Sequence, residues 1–297
     1  MENLIEAGML RASKSLPWYK RIIKFFRTLT NALYNAELPK HSRQAAEFNL
    51  SYRGRSYTLF HPNSKFHKRI FSYFLDKNML ETRSQFHRKL GKHDAYVDIG
   101  GNLGYYAVLN ILTGAFSRAF VFEPSSYNFS ILEKNLKSFP NVKCFQLGCS
   151  DTKGEATLAM PLKLYDNWYN KLNNTGILSL HGKGNYKKEQ IPLENFDDFT
   201  RKNNIEIKNS FIKLDVEGHE YYVLAGMKEA IKAGNTFQVE FNLKFNTQLI
   251  QGIFKFFSDE NYRSYRFNEK NCFEPVSIGD LDIYPQIDII FSRQNLN

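Results

Sequence analysis

From residue 95 onward the chain alternates in a way that leaves few folds open. Apolar, β-branched runs stand at 95–99 ("AYVDI"), 118–123 ("RAFVFE"), 142–147 ("VKCFQL"), 211–216 ("FIKLDV") and 237–241 ("FQVEF"). Between them lie segments of helical periodicity at 105–114, 125–139, 193–203 and 220–234. Strands that are apolar nearly throughout are buried on both faces, and the helices between them supply the cover. The pattern predicts an α/β fold with a doubly wound, mostly parallel sheet of Rossmann-like architecture. Two further runs, "NYRSYRF" at 261–267 and "IDIIFSR" at 287–293, read as an antiparallel edge.

Charge divides the chain near the start of that pattern. Residues 1–92 carry 18 Lys and Arg against 6 Asp and Glu, and the remainder carries 22 against 24. We therefore expect a basic N-terminal extension over 1–92, packing on or capping the core, and a near-neutral domain over 93–297. Within the extension, "AEFNLSYRGRSYTLF" (46–60) alternates and turns at Arg53-Gly54, as a β-hairpin does. Residues 66–90 have helical spacing. Residues 16–36 place Trp18, Ile22, Phe25, Phe26, Leu29 and Leu33 three and four apart, with Lys20, Arg21, Lys24 and Arg27 around the stripe. Such a helix either packs on protein, here the main domain or a second subunit, or lies on an anionic membrane surface. Both readings stay open, and homo-oligomerisation with them.

No run of 18 apolar residues offers a spanning helix. Charges interrupt the apolar stretches of the first 30 residues, where a signal-peptide core would sit. Cys144, Cys149 and Cys272 form no CxxC pair, which argues against a disulfide framework or a thiolate zinc site. The expected location is the cytoplasm, with peripheral contact at the inner membrane surface as the further option.

The first core strand runs into Asp98-Ile99-Gly100-Gly101-Asn102-Leu103-Gly104. In doubly wound sheets ligands bind beyond the carboxyl ends of the strands, at the switch point. This loop lacks the G-x-G-x-x-G spacing of dinucleotide binders. Gly100 and Gly101 permit a tight turn, and Gly104 lets the next helix pack close. Asp98 would repel a pyrophosphate but suits a ligand bearing an ammonium or a sulfonium. S-adenosylmethionine (SAM) bears both, and Asn102 joins the set expected around it. Glu123 ends the second strand, where a carboxylate accepts from both ribose hydroxyls of an adenosine. The plainer alternative places its charge at the N-terminus of the helix near Ser125. The third strand leads into "QLGCSDTKG" (146–154), which this topology lays along the adenine. Ser150 or Asp151 would take the N6 amine and the backbone at Cys149 would read N1. A simple Asp-containing turn explains the same residues equally well.

Taken in order, "VDIGGNLGYY", "VFEPSSYNFSILEKNL", "LGCSDTKGEATL" and "FIKLDVEGHEYYVLAG" resemble the FkbM-type methyltransferases. The resemblance covers residues 94–242 and extends more weakly upstream to Glu81. Its order of motifs is specific, whereas any one of them alone is not. One departure is Gly101, where the usual loop has Ala. The resemblance implies a class I SAM-dependent methyltransferase fold and O-methylation. Its acceptors are mostly sugar hydroxyls of glycans, lipopolysaccharide or natural products.

Methyl transfer to a hydroxyl requires an aligned oxygen and a group that removes its proton. "DVEGHE" (215–220) offers Asp215, Glu217, His219 and Glu220 at the end of the fourth strand. His219 is the expected general base, since an ordinary imidazole titrates near pH 6.5. Asp215 would orient it or bind the acceptor hydroxyl. Asp215 also lies within reach of the cofactor. Glu217 would grip the methionine amino group or a sugar hydroxyl, and Glu240, ending the fifth strand, would touch the acceptor or only pair with a lysine. The plainer alternative gives Glu217 and Glu220 to a helix N-terminus and leaves His219 as a cap. Asp215, Glu217 and Glu240 have oxygens of the kind Mg²⁺ takes. The sequence shows no dedicated cage, however, and no metal is expected.

Residues 161–190 read as a long polar loop, of the kind that is functional or disordered in a compact domain. Tyr165, Trp168, Tyr169 and Asn174 within it suit a pyranose ring, or serve only to pin the loop. The reading is an O-methyltransferase acting on a glycan or glycolipid. A nucleic-acid methyltransferase is the alternative that the basic extension permits. Against it, "DVEG" stands where a base-amine enzyme carries Asn/Asp-Pro-Pro-aromatic. A non-catalytic SAM-fold binding module at a membrane or polyanion surface is the third reading. The glycine loop, Glu123 and His219 together argue against it.

Overall fold

A computed structural model describes residues 45–63, 65–161, 171–173, 186–242, 247–283 and 286–296. In chain order its elements begin with β1 (Ala45–Tyr52), β2 (Arg55–Pro62), α1 (Lys65–Phe74) and α2 (Lys77–Leu90). The central part holds β3 (Ala95–Ile99), α3 (Tyr105–Thr113), β4 (Arg118–Phe122), α4 (Ser126–Leu136), β5 (Val142–Phe145) and β6 (Gly148–Ser150). There follow β7 (Gly154–Pro161), β8 (Lys171–Asn173), β9 (Tyr186–Asn195), α5 (Phe196–Lys202), β10 (Ser210–Leu214), α6 (Glu220–Ala225) and α7 (Lys228–Lys232). The chain continues through β11 (Thr236–Asn242), α8 (Thr247–Ser258), β12 (Arg263–Phe267), β13 (Phe273–Pro275), a 3₁₀ turn at Ile278–Ile283 and β14 (Gln286–Ser292).

Eight strands form one sheet in the order β13-β12-β14-β11-β10-β3-β4-β5. The five from β5 to β11 run parallel, as the apolar runs predict. β14 lies antiparallel to β11, and β12 and β13 extend that edge antiparallel to their neighbours. From β3 the chain winds outward through β4 and β5, then crosses back to β10. The switch point therefore falls between β3 and β10.

Strand periodicity sorts the central residues between two cores. Tyr96, Phe211 and Ile290 enter one with Phe86 and Leu90 of α2 and Val108 of α3. Val97, Ile99, Ile212, Leu214 and Val239 enter the other with Val223, Ile231 and Ile253. Each fully buried aliphatic or phenyl side chain contributes roughly 1.5–3 kcal/mol. Leu50, Leu59, Ile70 and Phe71 share the first core, so the described part of the basic extension closes one face of the sheet. Its hairpin turns at Arg53 and Gly54, both at positive φ. The Nδ2 of Asn135 donates to Phe60 O at 2.9 Å and Leu103 O at 2.7 Å, joining the hairpin to the glycine loop.

Three expectations need correction. Residues 161–190 do not form one loop, because β8 lies inside them and β9 begins at Tyr186. With β6 and β7 these strands make a second, four-stranded sheet, ordered β6-β9-β7-β8. Ile191 and Leu193 of β9 pack on Ala156 and Leu158, while the intervening Pro192 and the run Lys187-Lys188-Glu189-Gln190 before them hide the strand in the sequence. The helix expected from 193 begins at Phe196, because β9 runs on to Asn195, whose Oδ1 accepts from Asp198 N at 3.1 Å. The helix expected over 220–234 is two short ones, broken at Gly226 and Met227. There the backbone approaches β6 so closely that a Cβ on Gly226 would lie 2.1 Å from Ser150 O.

Residues 16–36, Tyr165, Trp168, Tyr169 and Asn174 lie outside the described residues. Among the described residues no helix is long and apolar enough to cross a membrane.

Candidate active site

The glycine loop closes the switch point by backbone contact. The N–H groups of Gly100 and Gly101 both donate to Phe122 O, at 2.9 Å each. Gly100 has φ +90°, and a Cβ there would meet Asp215 O at 1.9 Å. The ends of β3 and β10 thus approach as only glycine permits. Asn102 follows at φ 50°, and Gly104 opens α3.

Glu123 stands beside that loop, 4% exposed. Its two oxygens accept from the backbone N–H of Asn102 and of Ser125, at 2.9 Å each. Burial pushes its carboxyl up to about 8, against the pull of those two donors. Each oxygen keeps a lone pair for a further donor. The plainer of the two expectations for Glu123 is visible here: it ties the glycine loop to the start of α4.

Ser150, Asp151 and His219 come together as a second group. Ser150 Oγ donates to Asp151 Oδ1 at 3.0 Å and sits 3.0 Å from His219 Nε2. The His219 ring stacks on Tyr222, with centroids 4.9 Å apart. His219 is 5% exposed, and burial lowers its pKa to about 4 although Asp151 pulls it upward. Its imidazole is therefore neutral at physiological pH, with Nε2 engaged at Ser150. Burial raises the Cys149 thiol, which stays protonated.

The acids gather on the other side of the switch point. Asp215, Glu217 and Glu240 each bring one oxygen within 4.8 Å of the others. Glu217 and Gly218 both take positive φ, which turns the loop tightly after β10. Glu220 faces back into that turn, and its Oε1 accepts from Val216 N and Gly218 N at 3.1 Å each. Its role here is the structural one. The side chain of Asp215 is 27% exposed, and Lys213 Nζ lies 2.8 Å from its Oδ2. Burial would raise the Asp215 carboxyl. The Lys213 charge and hydrogen bonds from Glu240 and Lys213 hold it below the usual range. Glu240 moves the opposite way, upward through burial and the Asp215 charge.

Asp98 is fully enclosed, 0% exposed, so it does not line the cleft. Neither of its oxygens has a hydrogen bond of ordinary geometry, and Lys213 Nζ lies 3.9 Å away. Lys213 is the residue that sequence reasoning passed over. Its signal is a lysine inside an apolar strand, two positions before Asp215 and so on the same face. Arg83 is a second such residue: it lies buried in α2, donating to Asn110 Oδ1 and Gln238 Oε1 at 2.7 Å each.

A glycine loop at the first switch-point strand, an acid ending the next strand and an acid-lined exit from the fourth define a SAM-dependent methyltransferase. The Methyltransferase FkbM domain model matches residues 98–264, more than half of the chain, and the protein belongs to that family. The chain is similar to the Hexuronic acid methyltransferase AglP of Haloferax volcanii, at 27% identity over 151 residues. That match covers 50% of this chain and 55% of the relative, so it spans about half of the relative's length. Among solved structures it is similar to Methyltransferase FkbM from Methylobacillus flagellatus KT, at 16% identity and a TM-score of 0.43. Coverage there is 67% of this chain and 43% of the other. M. jannaschii TYW2 in complex with AdoMet gives 9% identity and a TM-score of 0.38, covering 84% and 88%. The residues present fit the cofactor: the turn at Gly100 and Gly101 is a cradle that a Cβ would fill, and Glu123 keeps acceptor capacity beside it.

Proposed function

We propose that the protein methylates a hydroxyl of a sugar within a glycan, glycolipid or natural product. SAM, when bound, supplies an electrophilic methyl group and a neutral leaving group. Glu123 and the loop from Gly100 to Gly104 would hold its nucleoside. Ser150, Asp151 and the backbone at Cys149 would line the adenine, with His219 and Tyr222 as the wall behind Ser150. Asp215 would accept the proton of the incoming hydroxyl, while Glu217 and Glu240 hold neighbouring hydroxyls. His219 fits this scheme as a neutral group that fixes Ser150, since the nitrogen seen in contact is engaged there.

One observation carries the reading: Asp215 stands partly open at the end of β10, 2.8 Å from a buried lysine, with oxygens of Glu217 and Glu240 within 4.8 Å. A carboxylate so placed has an open lone pair for a hydroxyl proton. A sugar acceptor is supported by the relative that acts on hexuronic acid. The test is incubation of the protein with isotope-labelled SAM and separate panels of uronic-acid, neutral-sugar and amino-sugar oligosaccharides, with RNA alongside. Label in a sugar methyl ether is the expected result. Label in RNA, or in no sugar while SAM binds, would overturn the proposal.

A further inference from the structure

Lys213 sits at the centre of a charged row laid out by sheet register. Lys213 is the cross-strand partner of Asp98 on β3 and of Gln238 on β11. Two positions on, the same face carries Asp215 beyond β10, Glu240 on β11 and its partner Asp288 on β14. Lys213 is 3% exposed, and Tyr106 closes it from below with its ring centroid 4.6 Å from Nζ. The Tyr106 hydroxyl accepts from Gln238 Nε2 at 3.0 Å, and Gln238 in turn accepts from Arg83. The ammonium is thus held on three sides, by a ring, by a buried carboxylate and by the carboxylate of the cleft.

We infer that Lys213 is a positioning residue, whose ammonium fixes the Asp215 carboxylate at the switch point and is itself anchored by Asp98. This deepens the functional reading above and rests on it for the role of Asp215. The two carboxylates differ in what they can do. Asp98 reaches no solvent, so its charge serves only the inside of the protein. Asp215 is partly open and is the one that meets a ligand. A single buried cation between an enclosed and an open carboxylate fixes the open one in direction. Without it, Asp215 would keep only its hydrogen bond with Glu240, because it has no other cation among the described ion pairs, and its carboxylate would turn toward water. Exposed ion pairs leave their partners free to move; a buried one with a 2.8 Å contact does not.

The experiment compares Lys213→Met, Asp98→Asn, the double variant and Asp215→Asn. Lys213→Met alone strands the Asp98 charge, so its melting temperature should fall sharply. The double variant removes both buried charges and should recover most of that loss. In its crystal structure the Asp215 carboxylate should have left its place. Its turnover on the sugar acceptor should stay at least about 100-fold below wild type, close to Asp215→Asn, as for loss of a proton acceptor. The Kd for SAM should change by less than about threefold, the limit for a site whose cofactor contacts are intact. If the double variant regains turnover along with its melting temperature, or keeps Asp215 in place, Lys213 only neutralises Asp98 and the inference fails. If wild type methylates no sugar, the functional reading fails by itself. The crystallographic position of Asp215 still decides the role of Lys213.

Discussion

The Nε2 of His219 lies 3.0 Å from the Oγ of Ser150, and this contact ties the loop after β10 to the first strand of the small sheet. Because it joins the two sheets, it has a consequence for acid stability. The folded pKa of His219 is lowered to about 4 by burial, whereas an unfolded histidine titrates near 6.5. The contribution of a neutral His219 is complete above pH 6.5. It declines as pH falls, because the unfolded chain takes up the proton first, and it is spent once the folded state protonates near pH 4. The total is on the order of 3 kcal/mol. His219→Gln should flatten the loss of stability between pH 6.5 and pH 4, read by urea unfolding across that range. His67 and His87 are lowered too, so part of the slope remains. An unchanged slope would show that His219 is not buried neutral.

Glu123 gives a prediction about the cofactor. Its carboxyl receives the N–H groups of Asn102 and Ser125 and would also receive ribose hydroxyls. Glu123→Ala leaves both N–H groups without their acceptor and removes the ribose partner. Calorimetric titration should show SAM affinity falling at least about fivefold, since two ribose hydrogen bonds contribute roughly 0.5–1.5 kcal/mol each. Full affinity in the variant would remove Glu123 from the site.

Arg83 joins the basic extension to the floor of the site. It donates to Asn110 and Gln238, and its guanidinium lies 3.8 Å from the Phe86 ring centroid. Arg83→Leu would leave Gln238 Oε1 unpaired and Asn110 Oδ1 with only His87 Nε2, at a cost of about 1–3 kcal/mol. Guanidinium unfolding should show a stability loss of that size. A loss below about 0.5 kcal/mol, the range of an ordinary surface change, would mean that the Arg83 contacts do not help hold the extension on the core.

The parallel sheet was legible in the sequence because its strands are apolar on both faces, and β3 and β10 are buried at every position. The small sheet was not. In β9 a polar run precedes Ile191 and a proline separates it from Leu193, and the sheet's short core of four side chains leaves a weak signal. The same contrast holds in the site. Gly100, Glu123 and Asp215 announce themselves because they lie in loops and strand ends, where their chemistry has few structural uses. Lys213 hides inside an apolar run, where a charge is normally disallowed. It became visible only once register placed it beside Asp98 and two positions from Asp215. The placement of Ser150 against His219 depends on Gly226, a long-range approach that no local pattern encodes.

The glycine loop allows backbone strain to be separated from crowding. Gly100 and Gly54 both sit at positive φ, +90° and +75°. A Cβ at Gly100 would lie 1.9 Å from Asp215 O, whereas at Gly54 it would meet nothing within 4 Å. Gly54→Ala therefore carries only the conformational cost, about 1 kcal/mol. Gly100→Ala carries that cost and also forces β3 and β10 apart where their loops converge, adding about 1–3 kcal/mol. The second variant should lose more stability in urea unfolding and should also lose SAM binding, because the displaced end of β3 carries the glycine turn proposed to hold the cofactor. Gly54→Ala should bind SAM as wild type does. Equal stability losses in the two variants, with SAM binding retained in both, would show that the close approach between Gly100 and Asp215 does not shape the site.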